Sequence, residues 1–359
     1  MKKKMKAAVL YGPKDLRVEE VPIPDVGDDE VLIKVKYCGI CPSDIKDYLD
    51  IRSKIRKGKE SSTPRILGHE YAGEVVEVGN NVSNIDPNVR VGMRAVVRDM
   101  ITCGKCIFCR NGLQNMCLER ADSGNPKNPG AYAEYIKISG PVVRNLGIGE
   151  IPDSLDYQEA CFEEPVAACL NGLFQTKIRV GDSVAIIGGG PIGLIHVQLT
   201  RLAGAAPIIL FEPIEMRREI ALKLGADYVI DPTNKNVVDE VITLTDGLGS
   251  CLTIVATSVP GVLPMAFKIT RRNGQILLFA GFIEGATFDV DPNLIHYRQI
   301  NVLGSSGSTL SQRKRALHLI AMRRIQVAPL IGETVPIERI EEGFNMVSDK
   351  TNLKVLVKL

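Results

Sequence analysis

With 359 residues, 45% of them apolar, and 44 basic against 42 acidic side chains, the chain is nearly neutral at +2 and long enough for two domains with substantial interiors. The absence of a long like-charge block argues against nucleic-acid or membrane-surface partners, and no run of about 18 apolar residues could span a bilayer. The basic start "MKKKMKAAVLY" has too short an apolar run for a signal-peptide core, so a soluble, cytoplasmic protein acting on a small molecule is expected.

From residue 7 to about 140, short β-rich runs ("AAVLY", "EVLIKVKY", "YAGEVVEV", "RAVVRD", "AEYIKI") are separated by Gly, Pro and Asp turns and predict an antiparallel, loop-rich domain. Inside it, "CGKCIFCRNGLQNMC" gathers four of the nine cysteines, Cys103, Cys106, Cys109 and Cys117, with two, two and seven residues between them. In a reducing compartment such a cluster is more often a set of thiolate ligands than of disulfides. The spacing suits a closed tetrahedral zinc site; an iron–sulfur cluster and four unrelated buried thiols are the alternatives. With every position filled by protein sulfur, no place remains for substrate, so the lobe predicts a staple and the chemistry must lie elsewhere.

From about residue 183 the pattern changes. Apolar runs of strand length ("SVAIIG", "PIILFE", "YVID", "LTIVAT", "GQILLFA") alternate with helix-length segments near 191–204, 215–225, 236–245 and 262–270, which predicts a parallel sheet with helices on both faces. "SVAIIGGGPIGL" sets Gly188, Gly190 and Gly193 as G-x-G-x-x-G between strand and helix, with Pro191 and Ile192 opening the helix. Glu212 follows 19 residues after Gly193, at the end of the next strand, completing a dinucleotide fingerprint whose carboxylate favours NAD over NADP. Arg217 and Arg218 could accommodate an extra phosphate, but their place within the next helix predicts surface residues. After about residue 304 come one helix, a Pro-flanked turn and a closing strand "KVLVKL" that returns to the first domain. The implied divisions are 1–160, with the cysteine lobe near 98–120, then 161–304 and 305–359.

A second group of candidate ligands is scattered: Cys41 in "CGICPSD", His69 and Glu70 in "GHEYAGEVVEVGNNV", and Glu164 in "CFEEP". Alone, each has a bland reading, since an isolated cysteine is usually core and a glutamate before proline usually caps something. As a set of thiolate, imidazole and carboxylates drawn from distant segments, they match the way an open catalytic zinc site is built.

The run Gly68-His69-Glu70 followed by Gly73, Gly79 and Val82, together with the four-cysteine spacing, resembles the zinc-dependent medium-chain alcohol dehydrogenase family over essentially the whole chain. The resemblance implies an α/β protein: a GroES-like, mostly antiparallel β catalytic domain and a Rossmann doubly wound parallel sheet. It implies two Zn2+ per chain and NAD, with Cys41, His69 and Glu164 as catalytic-zinc ligands and Glu70 either ligating or standing behind the metal. Asp44 would orient His69, and Ser43 would relay the alcohol proton; Lys46 stands where many relatives carry the histidine that completes the relay. Glu163 competes with Glu164, but the family's Glu-Pro pattern favours the latter. A glutamate here, where many alcohol dehydrogenases have cysteine, looks like the polyol and threonine dehydrogenase branch, commonly tetrameric. The implied activity is interconversion of a secondary hydroxyl of a polyol or sugar-derived substrate and its ketone. A threonine or butanediol-type dehydrogenase and a non-catalytic zinc-binding homologue are the alternatives. The segment "NVLGSSGSTLSQRKRAL" does not look like threonine dehydrogenases, and Asp47, Tyr48, residues 122–130 and 305–309 are the expected substrate selectors.

Overall fold

A computed structural model describes residues 3–49, 64–98, 100–125, 127–233, 237–283, 285–350 and 352–359. The chain forms two compact units: Met1–Pro165 with Ser308–Met322 and Leu330–Leu359, and Val166–Gly307 with Arg323–Pro329.

The main sheet of the first unit is built around Val31–Gly39, whose Val31, Ile33 and Val35 are fully buried. Glu70–Val78, Arg94–Val97 and Ile148–Glu150 follow in antiparallel succession on one side. On the other side Lys354–Lys358 is antiparallel to the central strand, and Ile331–Pro336 is parallel to Lys354–Lys358. The register matters for function. Gly39 faces Glu70 on one neighbour and Leu356 on the other, so the end of the central strand, Cys41 just beyond it, and the first residues of both flanking strands share one sheet edge. Apolar side chains from these strands and from the helix Ile340–Ser348 make the core; Phe344 packs edge-on against Tyr48 and Tyr132, at centroid distances of 5.3 and 5.8 Å.

The six strands of the second unit, Val184–Ile187, Ile208–Phe211, Tyr228–Ile230, Ser250–Val255, Thr270–Leu278 and Asn301–Gly304, are all parallel. Numbered along the chain, their spatial order is 3-2-1-4-5-6, the doubly wound dinucleotide-binding order. Val184–Ile187 is buried at every residue, as a central strand covered on both faces must be.

Three elements depart from expectation. Asp15–Pro22 is a strand paired antiparallel with Lys4–Gly12, although its charged residues hide the alternation. The C-terminal part holds two helices rather than one, Leu310–Ala321 and Ile340–Ser348, plus the strand Ile331–Pro336. The second helix buries Ile340, Gly343 and Phe344, a helical stripe obscured in the sequence by paired glutamates. Arg323–Pro329 groups with the second unit instead of the first. Among the described residues no helix is long and apolar enough to cross a membrane.

Candidate active site

Cys41 caps the helix Pro42–Tyr48: proline occupies the first helical turn, and the Asp44 carboxylate accepts the Cys41 N–H at 3.1 Å. His69 immediately precedes the strand that opens with Glu70. Donor atoms of Cys41, His69 and Glu70 all lie within 4.8 Å of one another. Of the four scattered ligands expected, three are therefore brought together.

Asp44 lies 3.3 Å from His69 Nδ1, which leaves Nε2 as the nitrogen available to a metal. Its other oxygen accepts from the Tyr132 hydroxyl at 2.7 Å. Burial would push the Asp44 carboxyl up, but His69, Tyr132 and the Cys41 N–H together hold it below the usual range, so it stays ionised. Burial likewise opposes a charged His69, yet Asp44 and Cys41 outweigh it and raise the imidazole pKa well above its ordinary value. Anionic surroundings that favour a proton there favour a cation among the same donors.

Glu70 is buried and bonded by Lys354 Nζ at 2.5 Å; Lys354 also donates to the Ile40 carbonyl at 3.3 Å. The close approach depends on Gly39, because a Cβ there would fall 2.5 Å from Glu70 Oε2. Glu164 stands half-buried outside the three-residue group, its carboxyl pushed up by burial and by Glu70 and drawn down by His69. Its rival Glu163 is turned to a different partner: Arg313 Nε donates to it at 2.5 Å and Arg313 Nη2 reaches both it and the Val97 carbonyl. Burial raises Glu163 to about 7 despite that arginine.

Ser43 is half-buried on the first turn beyond Cys41, and Lys46 is half-buried as well. The expected substrate selectors are engaged within the protein. Asp47 pairs with Arg65 at 3.5 Å, the Tyr48 hydroxyl donates to Glu341, Ser305 accepts from Asn171 at 3.1 Å, and Ser308 is buried. Three participants escaped the sequence reading: Lys354, Tyr132 and Arg313. A lysine leading the apolar run Val355–Val357 of the closing strand was the one available signal for Lys354; the other two join the site only through tertiary packing.

The cysteine lobe is a self-contained shell. Backbone N–H groups of Cys103, Cys106 and Cys109 donate to the sulfurs of Cys117, Cys103 and Cys106 at 3.3, 3.3 and 3.5 Å. Cys103 Sγ lies 3.6 Å from Cys117 Sγ and 4.0 Å from Cys109 Sγ. A tetrahedron of metal–sulfur bonds about 2.3 Å long has edges of about 3.8 Å, so this shell fits one tetrahedral ion. Sulfurs this close leave no room for the several irons and sulfides of a cluster. All nine cysteines are free, and N–H donors lower the Cys106 thiol to about 6 while burial raises Cys109 to about 12.

In the second unit, Gly190 caps the helix Pro191–Leu202, whose first N–H groups are the ones a pyrophosphate would meet. Pro191 and Ile192 open that helix half-buried. Gly193 must lack a side chain, because a Cβ would fall 1.8 Å from the Gly188 carbonyl oxygen. Glu212, at the end of the second strand, accepts from the Gly189 and Ile214 N–H groups at 2.7 and 3.0 Å. Arg217 is not the surface residue expected: it is buried, 4.0 Å from Glu212. Arg218 folds back on the Glu212 and Pro213 carbonyls, both at 2.8 Å.

Residues 27–146 match the alcohol dehydrogenase GroES-like domain, and residues 191–322 the zinc-binding dehydrogenase domain. The chain is 32% identical to D-arabitol-phosphate dehydrogenase of Enterococcus avium, covering 100% of this chain and 98% of that protein. Identity to L-threonine 3-dehydrogenase of Pyrococcus horikoshii is also 32%, covering 99% and 97%. A crystal structure of a zinc-binding dehydrogenase from Sinorhizobium meliloti bound to NADP matches with a TM-score of 0.90 at 31% identity, over 100% of both chains. Similarity that runs the full length of both units, in sequence and in fold, makes the chain a member of the zinc-dependent medium-chain dehydrogenase family of oxidoreductases.

Proposed function

We propose that the chain is a zinc-dependent NAD(H) oxidoreductase interconverting a secondary hydroxyl of a polyol or sugar-derived substrate and its ketone. The observation that carries this is the convergence of Cys41, His69 and Glu70 within 4.8 Å, with His69 oriented by Asp44. A thiolate, an imidazole nitrogen and one carboxylate, from Glu70 or Glu164, form a three-ligand set with a fourth position for substrate, as catalytic zinc requires. Zinc held there supplies the Lewis acidity that lets a hydroxyl ionise near neutral pH. Cys103, Cys106, Cys109 and Cys117 hold the second ion in a closed site.

The side chains divide the remaining work. Asp44, through Nδ1, fixes the His69 ring and its tautomer. Ser43 relays the substrate's hydroxyl proton, taking it while giving up its own; Lys46, three residues on along the same side of the helix, would carry it further only as the neutral amine. Glu212 has two lone-pair positions filled by Gly189 and Ile214 and others left for ribose hydroxyls, and its charge disfavours the added phosphate of NADP. Neutral substrates follow from charge balance at the metal: one thiolate and one carboxylate cancel a dication, so an added substrate carboxylate gains little there. We further propose a cytoplasmic homo-oligomer, a tetramer in keeping with the branch or else a dimer, which light scattering on the purified protein would distinguish.

The test is a panel of polyols, sugar phosphates, diols and threonine scored by NAD and NADP reduction, with zinc measured on the same sample. Turnover is expected on a polyol or sugar derivative, with ethanol poor. Efficient threonine oxidation or a preference for long-chain primary alcohols would overturn the substrate class, and active enzyme free of zinc would overturn the site.

A further inference from the structure

The second unit carries a groove of about 530 Å³ lined by Ile242, Gly247, Leu248, Arg271, Arg272 and Arg298. These residues lie at the amino-terminal ends of the strands: 247–248 lead into Ser250–Val255, 271–272 begin Thr270–Leu278, and Arg298 precedes Asn301–Gly304. A dinucleotide sits at the opposite, carboxyl ends, beside Gly188 and Glu212. The groove is therefore separate from the coenzyme motif.

Its charge is poorly compensated. Arg271 has Asp182 at 3.8 Å. Arg272 and Arg298 spend their donors on backbone carbonyls instead, Tyr297 at 3.4 Å for the first, Phe267 at 3.2 Å and Thr270 for the second. Carbonyl bonds hold a guanidinium in place without cancelling its charge, so three cations against Asp182, with the exposed Asp246 beside Gly247, still leave the groove with a net positive charge. The framework beneath is tied together, since the Asn273 N–H donates to the Arg298 carbonyl at 2.6 Å. Asp246, Asn273 and Gln299, in the three turns that deliver these side chains, all hold left-handed backbone, with φ of 53, 56 and 52°. Arg298, held by two carbonyls, loses little freedom on binding, and the planar donors of all three guanidiniums match phosphoryl oxygens. Leu248, 62% exposed, adds an apolar wall with Ile242.

We propose that this groove binds a small metabolite bearing a diphosphate or two phosphoryl groups, held by Arg271, Arg272 and Arg298, with its uncharged part against Leu248 and Ile242. A groove of about 530 Å³ is within the usual range for metabolite sites, roughly 300–1,000 Å³.

The probe is inorganic pyrophosphate, titrated calorimetrically at low salt into holoenzyme saturated with NADH, with zinc content measured before and after. Saturable binding is expected, at least tenfold tighter than inorganic phosphate, and the Arg271→Gln/Arg272→Gln double variant should weaken it at least tenfold while leaving alcohol turnover unchanged. Arg298 is spared because it also caps the helix Leu263–Ile269. An Arg17→Gln/Arg339→Gln control removes the same net charge elsewhere and should bind as wild type. No binding at millimolar pyrophosphate, equal affinity for phosphate, or equal weakening in both double variants would overturn the assignment.

Discussion

Replacing Lys354 by methionine keeps most of the side-chain volume and removes one charge. In the protein, Lys354 Nζ and Glu70 Oε2 are 2.5 Å apart, with side chains 6% and 2% exposed. Glu70 is hemmed in by the sheet, with Gly39 directly opposite, so it cannot swing to water when its partner is lost. Removing one member of such a buried pair costs about 3–5 kcal/mol, because the survivor is left charged and unpaired. For a unit of this size that is a fall in melting temperature of roughly 6–20 °C. Lys354→Met/Glu70→Gln removes both charges and should recover most of the loss, giving a coupling energy of several kcal/mol in a double-mutant cycle. Added zinc should rescue Lys354→Met more than wild type, since a dication at Cys41 and His69 gives the stranded carboxylate a new partner. The assay is thermal unfolding of all four proteins with and without chelator. A Lys354→Met enzyme within about 1 kcal/mol of wild type, or a double variant no better than the single, would refute the claim that this lysine secures Glu70.

Cys106→Ser should lower zinc content by one ion per chain and reduce stability or assembly more than the intrinsic chemistry, read by elemental analysis and size-exclusion chromatography. His69→Ala should abolish turnover while leaving far-ultraviolet circular dichroism unchanged. Because Asp44 and Cys41 hold the His69 pKa well above 6.5, a proton competes with the metal even at neutral pH. Zinc affinity at this site should therefore rise as pH goes from about 6 to about 8, and a flat chelator titration would contradict that sign. Glu212→Ala should relax the preference for NAD, shifting the ratio of kcat/KM values toward NADP; a wild type that already favours NADP would instead promote Arg217, which lies 4.0 Å from Glu212.

What could be seen in the sequence divides along contact distance. The cysteine lobe and the glycine run are local: the four ligands fall between residues 103 and 117 and the glycines between 188 and 193, so spacing alone carries their geometry. Cys41 and the adjacent pair His69–Glu70 come from separated segments and needed the family resemblance to be joined, and Glu164, which the resemblance made the third ligand, stands outside their group. Lys354 shows why even that runs out. It reaches Glu70 because Lys354–Lys358 and Glu70–Val78 flank the same central strand in a register that aligns Leu356, Gly39 and Glu70. A shift of one residue would turn every side chain of the closing strand to the other face and take Lys354 away from the site. That register is set by the packed core, not by any pattern within "KVLVKL". Arg217 is the converse case, with helical periodicity correctly read but the packing around it unseen: the residue is buried with the Glu212 carboxylate, just beyond the preceding strand, 4.0 Å away. Polar side chains that secure a site from the opposite end of the chain are thus the ones a sequence conceals, and the Lys354 variants test that layer directly.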